Sequence, residues 1–375
     1  MKKNYFLLAA STMMFAACAQ NDLVNEVVTE ETPQAIGFET FVNKVTRAEN
    51  SGQTYSQALN GHHETFKVWA GKILATGTFV DVYAKNAPGT VTWTSGTWKA
   101  DPVTYWDKAA SNYYFYAAAP AKDASGNSIA WSYTNSTDND GSTGYLSLST
   151  YTLTGVNGVN SGALTSNWKN KADIDLMISD NVDLNPVSSY TSPVGLSFIH
   201  ILSKLNIMVK STAGNNVVLT KLDVVGLKAT GNFDENATLP TGTTLAGGTS
   251  ARWTASGSYN LEASLPSSVL STEPTYTHEY LIIPQLVKNV TDTNNKGTAP
   301  TGDVYLHIQY TVNGEPYETY YSLAAAFGIS KDGNLAFNEG WQNTLTINIA
   351  PNDITFSGMV ASWADGTTKD NTTIQ

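Results

Sequence analysis

Side chains able to do acid–base, nucleophilic or metal chemistry are few in this chain and widely scattered. Five histidines are present. His62-His63-Glu64 has the residue types of a metal cluster, but it lies in a polar connector with no third ligand nearby, so no metal site is expected. His200 sits among Phe198, Ile199, Ile201 and Leu202 and reads as a satisfied, half-buried strand residue. His278 and His307 are isolated. Asp173 and Asp175 flank Ile174 at strand spacing and put two carboxylates on one face. Glycoside hydrolysis uses such acids, yet no second partner stands beside them. The sequence contains no Gly-x-Ser-x-Gly elbow, no phosphate loop and no His-Glu-x-x-His. No enzyme, cofactor or metal ion is therefore expected. Trp93, Trp98 and Trp106 fall close together. They could stack on sugars, which keeps a glycan-binding surface protein as the alternative reading, but large aromatics also fill sandwich cores and core packing is the better account.

Charge narrows the partners. The 375 residues carry 21 Lys and Arg against 32 Asp and Glu, a net charge of −11. The only arginines are Arg47 and Arg252. Phosphate backbones need a basic surface, so nucleic acid is excluded as a partner, and attachment of the mature domains to anionic lipid heads is equally unsupported. The one cysteine, Cys18, leaves no disulfide within the remainder, and stability must come from burial.

The elements that would position any site are strands. No segment holds a 3.6-residue apolar period, and short alternating runs are separated by turn residues. Ile36, Phe38, Thr40 and Val42 alternate with Gly37, Glu39, Phe41 and Asn43, a strand with one mostly apolar face. Further strands are expected over Phe66–Leu74, Thr78–Lys85, Val91–Trp98 with a turn at Ser95-Gly96, Asn112–Ala119, Tyr145–Leu153, Ile174–Ser179 and Leu196–Lys210. Ala121 to Gly144 reads as a long loop. The second half repeats the style at Val217–Leu227, Glu279–Ile283, Val304–Val312, Pro316–Leu323, Thr344–Ile349 and Ile354–Trp363. Asn313-Gly314 gives a hairpin signal, and Ala324-Ala325-Ala326 one helical turn at most. The expected fold is all-β and mostly antiparallel, with two β-sandwich domains, residues 48–212 and 213–375. The junction is placed near Ser211–Asn216, with Asp180–Pro193 as the competing choice. The tail Ala364–Gln375 is polar.

The N-terminus has the order of a secretory signal peptide: Lys2 and Lys3, the apolar run Tyr5–Met14, then the small residues Ala16 and Ala17. The run is too short to span a bilayer. A cysteine directly after it resembles the lipobox of bacterial lipoproteins, so residues 1–17 read as a lipoprotein signal peptide and Cys18 as the acylated (palmitate-type) new N-terminus. Ordinary cleavage with an incidental cysteine is the alternative. Residues 18–47 then form a tether and the Ile36–Val42 strand.

Several local patterns match one family in order. They are the leader to Cys18; Ile36-Gly37-Phe38 followed by Thr46-Arg47-Ala48; Val80-Asp81-Val82-Tyr83; Tyr105-Trp106; Tyr114-Phe115-Tyr116 through Pro120; Asp175-Leu176-Met177; Leu196 through Leu205; Tyr280 through Gln285; Phe337-Asn338-Glu339-Gly340-Trp341; and Val360 with Trp363. The chain resembles the fimbrillins, subunits or accessories of the type V pili of Bacteroidales. The resemblance implies two transthyretin-like β-sandwich domains, a lipidated precursor at the outer membrane, and cleavage after an arginine by a trypsin-like protease. Cleavage removes the N-terminal strand, and a strand from the next subunit fills the groove by donor strand exchange. Partners would be other pilus subunits, in a homo- or heteropolymer, and a host or bacterial surface receptor for cell adhesion. The location would be the outer membrane, then the cell-surface fimbria. Carried onto this sequence, the cleavage lies between Arg47 and Ala48, and the removable strand carries Ile36, Phe38 and Val42. The candidate donor strand is 354–363 with Ile354, Phe356 and Val360 on one face. Two bland readings stay open: Arg47 as an ordinary surface charge before a permanent first strand, and Ile354–Trp363 as a closed final strand.

Overall fold

The computed structural model describes residues 32–42, 65–123, 126–135, 144–153, 175–212, 214–237, 252–257, 259–262, 265, 269–290, 298–351, 353–362 and 368–373. Cys18, Arg47, Ala48, His62, His63 and Asp173 lie outside them. The described chain is all-β apart from one four-residue helix, α1 (Leu323–Ala326), at the predicted alanine turn.

A nine-stranded sheet holds most of the first half. Its path runs β1 (Phe38–Val42), β11 (Val194–His200), β9 (Met177–Ser179), β6 (Ala110–Ala119), β2 (Thr65–Leu74), β4 (Gly89–Thr94) and β5 (Thr97–Asp101). β3 (Phe79–Tyr83) pairs with β2, and β10 (Val182–Leu184) with β6. The turn between β4 and β5 falls at Ser95-Gly96, both at positive φ, as the hairpin requires. β6 is buried on both faces. Tyr113, Phe115 and Ala117 face one core with Phe66, Tyr83, Trp98, Trp106 and Phe198, while Tyr114, Tyr116 and Ala118 face another with Trp69, Leu146, Phe233 and Ile283. A sheet with apolar residues on both faces must be covered twice. The second cover is a four-stranded sheet, ordered β15 (Trp253–Ser256), β14 (Thr230–Asp234), β8 (Tyr145–Thr152) and β7 (Trp131–Thr134). β7 lies within the expected loop 121–144. Its Trp131 and Tyr133 alternate with polar residues over only four positions, too short a run to stand out from its polar surroundings.

The second half encloses its own core between two sheets. One is β17 (Thr275–Ile282), β12 (Ser203–Ser211), β22 (Trp341–Ala350), β23 (Asp353–Ser362) and β24 (Thr368–Thr373). The other is β16 (Tyr259–Glu262), β13 (Val217–Leu227), β19 (Tyr305–Val312) and β20 (Glu315–Ser322). β18 (Gln285–Lys288) and β21 (Asn334–Phe337) form a two-stranded ribbon. Asn313-Gly314 turns β19 into β20, with φ of 53° and 89°. β24 adds a strand to the tail that composition alone marked as polar.

The expected single strand Leu196–Lys210 is two strands in two sheets. Its apolar alternation changes phase in the middle. Leu196 and Phe198 belong to the first core, Ile201 and Leu202 to the shared one, and Leu205, Ile207 and Val209 to the last. A one-residue phase change turns every later side chain to the opposite face, so the strand must break at Ile201-Leu202. The same segment thereby threads all three cores.

Candidate functional site: the seat of the first strand

β1 is the exception in its sheet. The other ladders described there, between β2, β3, β4, β5, β6, β9, β10 and β11, are antiparallel. β1 lies parallel to β11, with Phe38 opposite Val194, Glu39 opposite Gly195, Thr40 opposite Leu196, Phe41 opposite Ser197 and Val42 opposite Phe198. Antiparallel neighbours can be joined by hairpins, whereas a parallel strand has to be brought from elsewhere in the chain. β1 is thus an edge strand laid onto a sheet that is otherwise built from the residues after Thr65.

On its other side β1 closes the sheet around the first core. The Ile36 N–H donates to the Thr104 carbonyl and the Trp106 N–H to the Gln34 carbonyl, both at 2.9 Å. Ala35 bridges Tyr105. The segment after β5 therefore meets the entry to β1, and β1 spans the gap between β11 and that segment.

The seat is aromatic. Ile36, Phe38 and Thr40 point inward and are buried. The Phe38 ring meets Phe66 edge-on at 6.0 Å, Phe115 edge-on at 6.1 Å and Tyr83 at 6.5 Å. Edge-to-face rings at such distances add to the plain burial of each ring. Glu39 and Phe41 face outward, and Phe41 is 43% exposed. Val42 is placed by its backbone only; its side chain lies outside the described part. Full burial of a Phe or Ile contributes roughly 1.5–3 kcal/mol. Ile36 and Phe38 then account for most of the hold, and removing them would leave an apolar trough beside the unpaired edge of β11.

Among the described residues, the polar candidates Asp175, His200 and His307 lie in two separate contacts. Asp175 and His200 are both buried, with Nδ1 of His200 2.5 Å from Oδ2 of Asp175. His200 is more buried than expected and ends β11, the strand beneath β1. Burial of both groups is tolerable because each satisfies the other. His307 stacks on Tyr320, its Nε2 lies 2.7 Å from Oε1 of Glu318, and the same oxygen accepts from Gln309 and the Tyr320 hydroxyl. These contacts, Gln309 first, pull the Glu318 carboxyl down to about 2. Trp98 and Trp106 are buried in the first core and Trp93 packs against Trp98, in line with packing rather than a sugar platform. Among the described residues no cluster of His, Cys, Asp and Glu is arranged to hold a metal ion.

Arg252 was visible in the sequence only as one of two arginines. Its guanidinium pairs with Glu339 and lies over the Phe233 ring. Nearby Glu235 accepts the Leu146 N–H at 2.7 Å, and burial raises its carboxyl above the ordinary range. Phe233 and Trp253 share the core between the halves, a role no spacing rule could have announced.

β23 runs beside β22 over ten residues, from Trp341 opposite Ser362 to Ala350 opposite Asp353. Ile354 is buried in the second-half core, Phe356 packs on Tyr321 at 4.6 Å, and Val360 is half-buried. The backbone of β24 covers its other edge over 357–361.

Fold and site together define an all-β protein whose first strand is a parallel addition at the edge of an antiparallel sheet. The fimbrillin-like family model matches residues 46–363, and the chain belongs to that family. The match begins beyond β1 and one residue before Arg47. A fimbrial protein from Bacteroides vulgatus shares the fold at 17% identity, with a TM-score of 0.52, over 88% of this chain and 100% of that one. A candidate cell adhesion protein from Bacteroides uniformis aligns at 15% identity and a TM-score of 0.44, over 88% of this chain and 98% of that one. No curated protein matches the chain.

Proposed function

We propose that the chain is a subunit of a cell-surface pilus, made as a lipoprotein precursor and activated by loss of its first strand. Acylated Cys18 holds the precursor at the outer membrane. Cleavage between Arg47 and Ala48 releases the lipid and β1 in one step. Exposed edges and apolar troughs recruit another strand, and a strand from a neighbouring subunit takes the vacated seat. Head-to-tail repetition of that contact gives an open filament. Adhesion to a host or bacterial surface receptor would be exerted by the assembled fibre. Residues 48–212 and 213–375 are the proposed domains of the processed subunit, and the β8–β14 ladder and the ladders of β12 with β17 and β22 run between them.

The single observation that carries this reading is the parallel lodging of β1 at the sheet edge with Ile36, Phe38 and Thr40 buried. Arg252 strengthens the choice of Arg47, because its side chain is engaged with Glu339 and Phe233.

The test is Arg47→Ala in the full chain expressed at the cell surface. The variant should keep its acylated Cys18 and stay monomeric, while the parent yields a ladder resistant to sodium dodecyl sulfate. A variant that still forms the ladder would contradict the proposal.

A further inference from the structure

Phe66, Trp98 and Trp106 are spent on the first core, whereas three rings of the second half lie outside theirs. β19 turns Leu306, Ile308, Tyr310 and Val312 into the second-half core. Alternation puts Tyr305, His307 and Gln309 on the opposite, outer face, where all three are half-buried. Tyr305 lies opposite Val225 and Ser322, His307 opposite Asp223 and Tyr320, and Gln309 opposite Lys221 and Glu318. We propose that this outer face of β13, β19 and β20 binds a short, uncharged oligosaccharide. Tyr305 and Tyr320 form its ring platform, and Glu318, Gln309 and Lys221 make its polar contacts. The inference rests on the adhesive part of the proposed function and names the chemistry of the receptor; it does not depend on the loss of β1.

The face is organised before any ligand arrives. Nε2 of His307 lies 2.7 Å from Oε1 of Glu318, and the same oxygen accepts from Nε2 of Gln309 at 2.8 Å and from the Tyr320 hydroxyl at 3.1 Å. His307 stacks on Tyr320 with ring centroids 4.5 Å apart, and Tyr305 meets Tyr320 edge-on at 5.8 Å. Nζ of Lys221 lies 3.1 Å from Oδ2 of Asp223. Fixing long side chains on a surface costs rotamer entropy and returns little stability. A network of this size on an outer face is therefore better accounted for by a ligand than by folding. Three of its atoms stay open among the described residues: Oε2 of Glu318, Oε1 of Gln309 and the Tyr305 hydroxyl. The Glu318 side chain is 45% exposed, which leaves Oε2 accessible.

Charge and shape select the ligand class. Glu318 and Asp223 oppose an anion, and Lys221, the one ammonium in the network, is already paired. Lys221 in turn opposes a cation. A neutral ligand rich in hydroxyls meets neither objection, because each hydroxyl can both donate and accept. Its hydroxyls would donate to the three open oxygens and accept from Lys221, while its C–H surface lies on the tyrosine rings. From Tyr305 to Gln309 the face runs roughly 13 Å along β19, long enough for more than one sugar ring. A polypeptide would instead seek an unpaired strand edge, and the network lies on a sheet face.

The experiment uses the full chain on a printed array of neutral, sialylated and sulfated oligosaccharides, followed by calorimetric titration of the strongest neutral binder. Neutral oligosaccharides should be bound. Glu318→Gln keeps the shape but replaces the open acceptor with a donor, and Tyr305→Ala removes a ring. Each should weaken binding at least about tenfold with an unchanged melting temperature. Tyr305→Phe keeps the ring and should lose less than Tyr305→Ala. Tyr317→Ala should leave affinity unchanged, because Tyr317 stacks on Tyr310 at the opposite face of the same sheet. An array with no neutral binder, binding confined to sialylated or sulfated oligosaccharides, or affinity indifferent to Glu318→Gln and Tyr305→Ala would overturn the inference. Each of those results would leave processing at Arg47 and assembly standing, whereas an Arg47→Ala variant that still forms its ladder would leave this face untouched.

Discussion

The segments Ile36–Val42 and Ile354–Val360 share Ile, Phe and Val at matched positions and are held in different ways. β1 is five residues long and pairs in parallel on one side, and the residues just before it meet the segment after β5 through the Ala35–Tyr105 bridge and two flanking hydrogen bonds. β23 is ten residues long, pairs antiparallel along its whole length and is covered by β24. The same apolar code thus serves one strand that is lodged and another that is built in. Retention depends on the length and continuity of the ladder, since an edge strand relinquishes few backbone hydrogen bonds when it leaves. The side chains set what fits the seat; the ladder sets how firmly the strand is held.

The comparison can be broken most severely at Phe38. Phe38→Ala should destabilise the seat by about 3 kcal/mol, as the cavity left among Phe66, Tyr83 and Phe115 cannot fully collapse. Native-state hydrogen exchange should then accelerate in β1 and the β11 edge and leave β22 unchanged. Equal acceleration in both halves would mean that β1 is part of a single cooperative core. Gly358→Thr probes the other strand. A side chain there meets Phe327, and the overpacking should cost about 2 kcal/mol in unfolding of the second half, measured by urea denaturation followed at its tyrosines.

His200→Leu tests the support under the β1 seat. It keeps the volume but removes the hydrogen-bonding partner of Asp175, and should lower stability by about 1.5 kcal/mol. Pairing this change with Asp175→Leu should recover part of the loss, as read in a double-mutant cycle.

The smallest effect is expected at Glu318, on the strand whose Tyr321 covers Phe356. Its carboxyl is held at about 2 by Gln309, His307 and the Tyr320 hydroxyl, against an ordinary 4.5. A depressed folded value means that its contribution is present above about 4.5 and lost as pH falls through about 2. The Glu318 carboxyl carbon should titrate near 2 by nuclear magnetic resonance, and Gln309→Ala should move that midpoint upward.

Strand content was legible because alternation reports one buried face directly. Val304–Val312 needed only its period of two, Asn112–Ala119 its aromatic run closed by Pro120, and Asn313-Gly314 its tolerance of positive φ. What could not be read was how many cores each segment serves. The consecutive apolar residues Phe198-Ile199 and Ile201-Leu202 conceal a change of sheet, because a run buried on both faces carries no alternation. β7 and β14 were hidden by being short and set among polar residues, although their Trp131, Tyr133 and Phe233 are buried in the shared core. Ile36 and Phe38 were readable as a strand face. Their rank as the one parallel addition to an antiparallel sheet depends on long-range pairing with β11, which local sequence does not encode. Arg252 and Glu339 likewise meet only through the fold.

The central claim is that the working subunit lacks β1 and that its seat is filled from outside. The N-terminal residue of subunits taken from assembled, surface-exposed polymer tests this directly. Edman sequencing or intact mass should give Ala48 as the first residue, with Ile36 and Phe38 absent from the polymer. Polymer whose subunits begin at acylated Cys18, with β1 still lodged against β11, would contradict it.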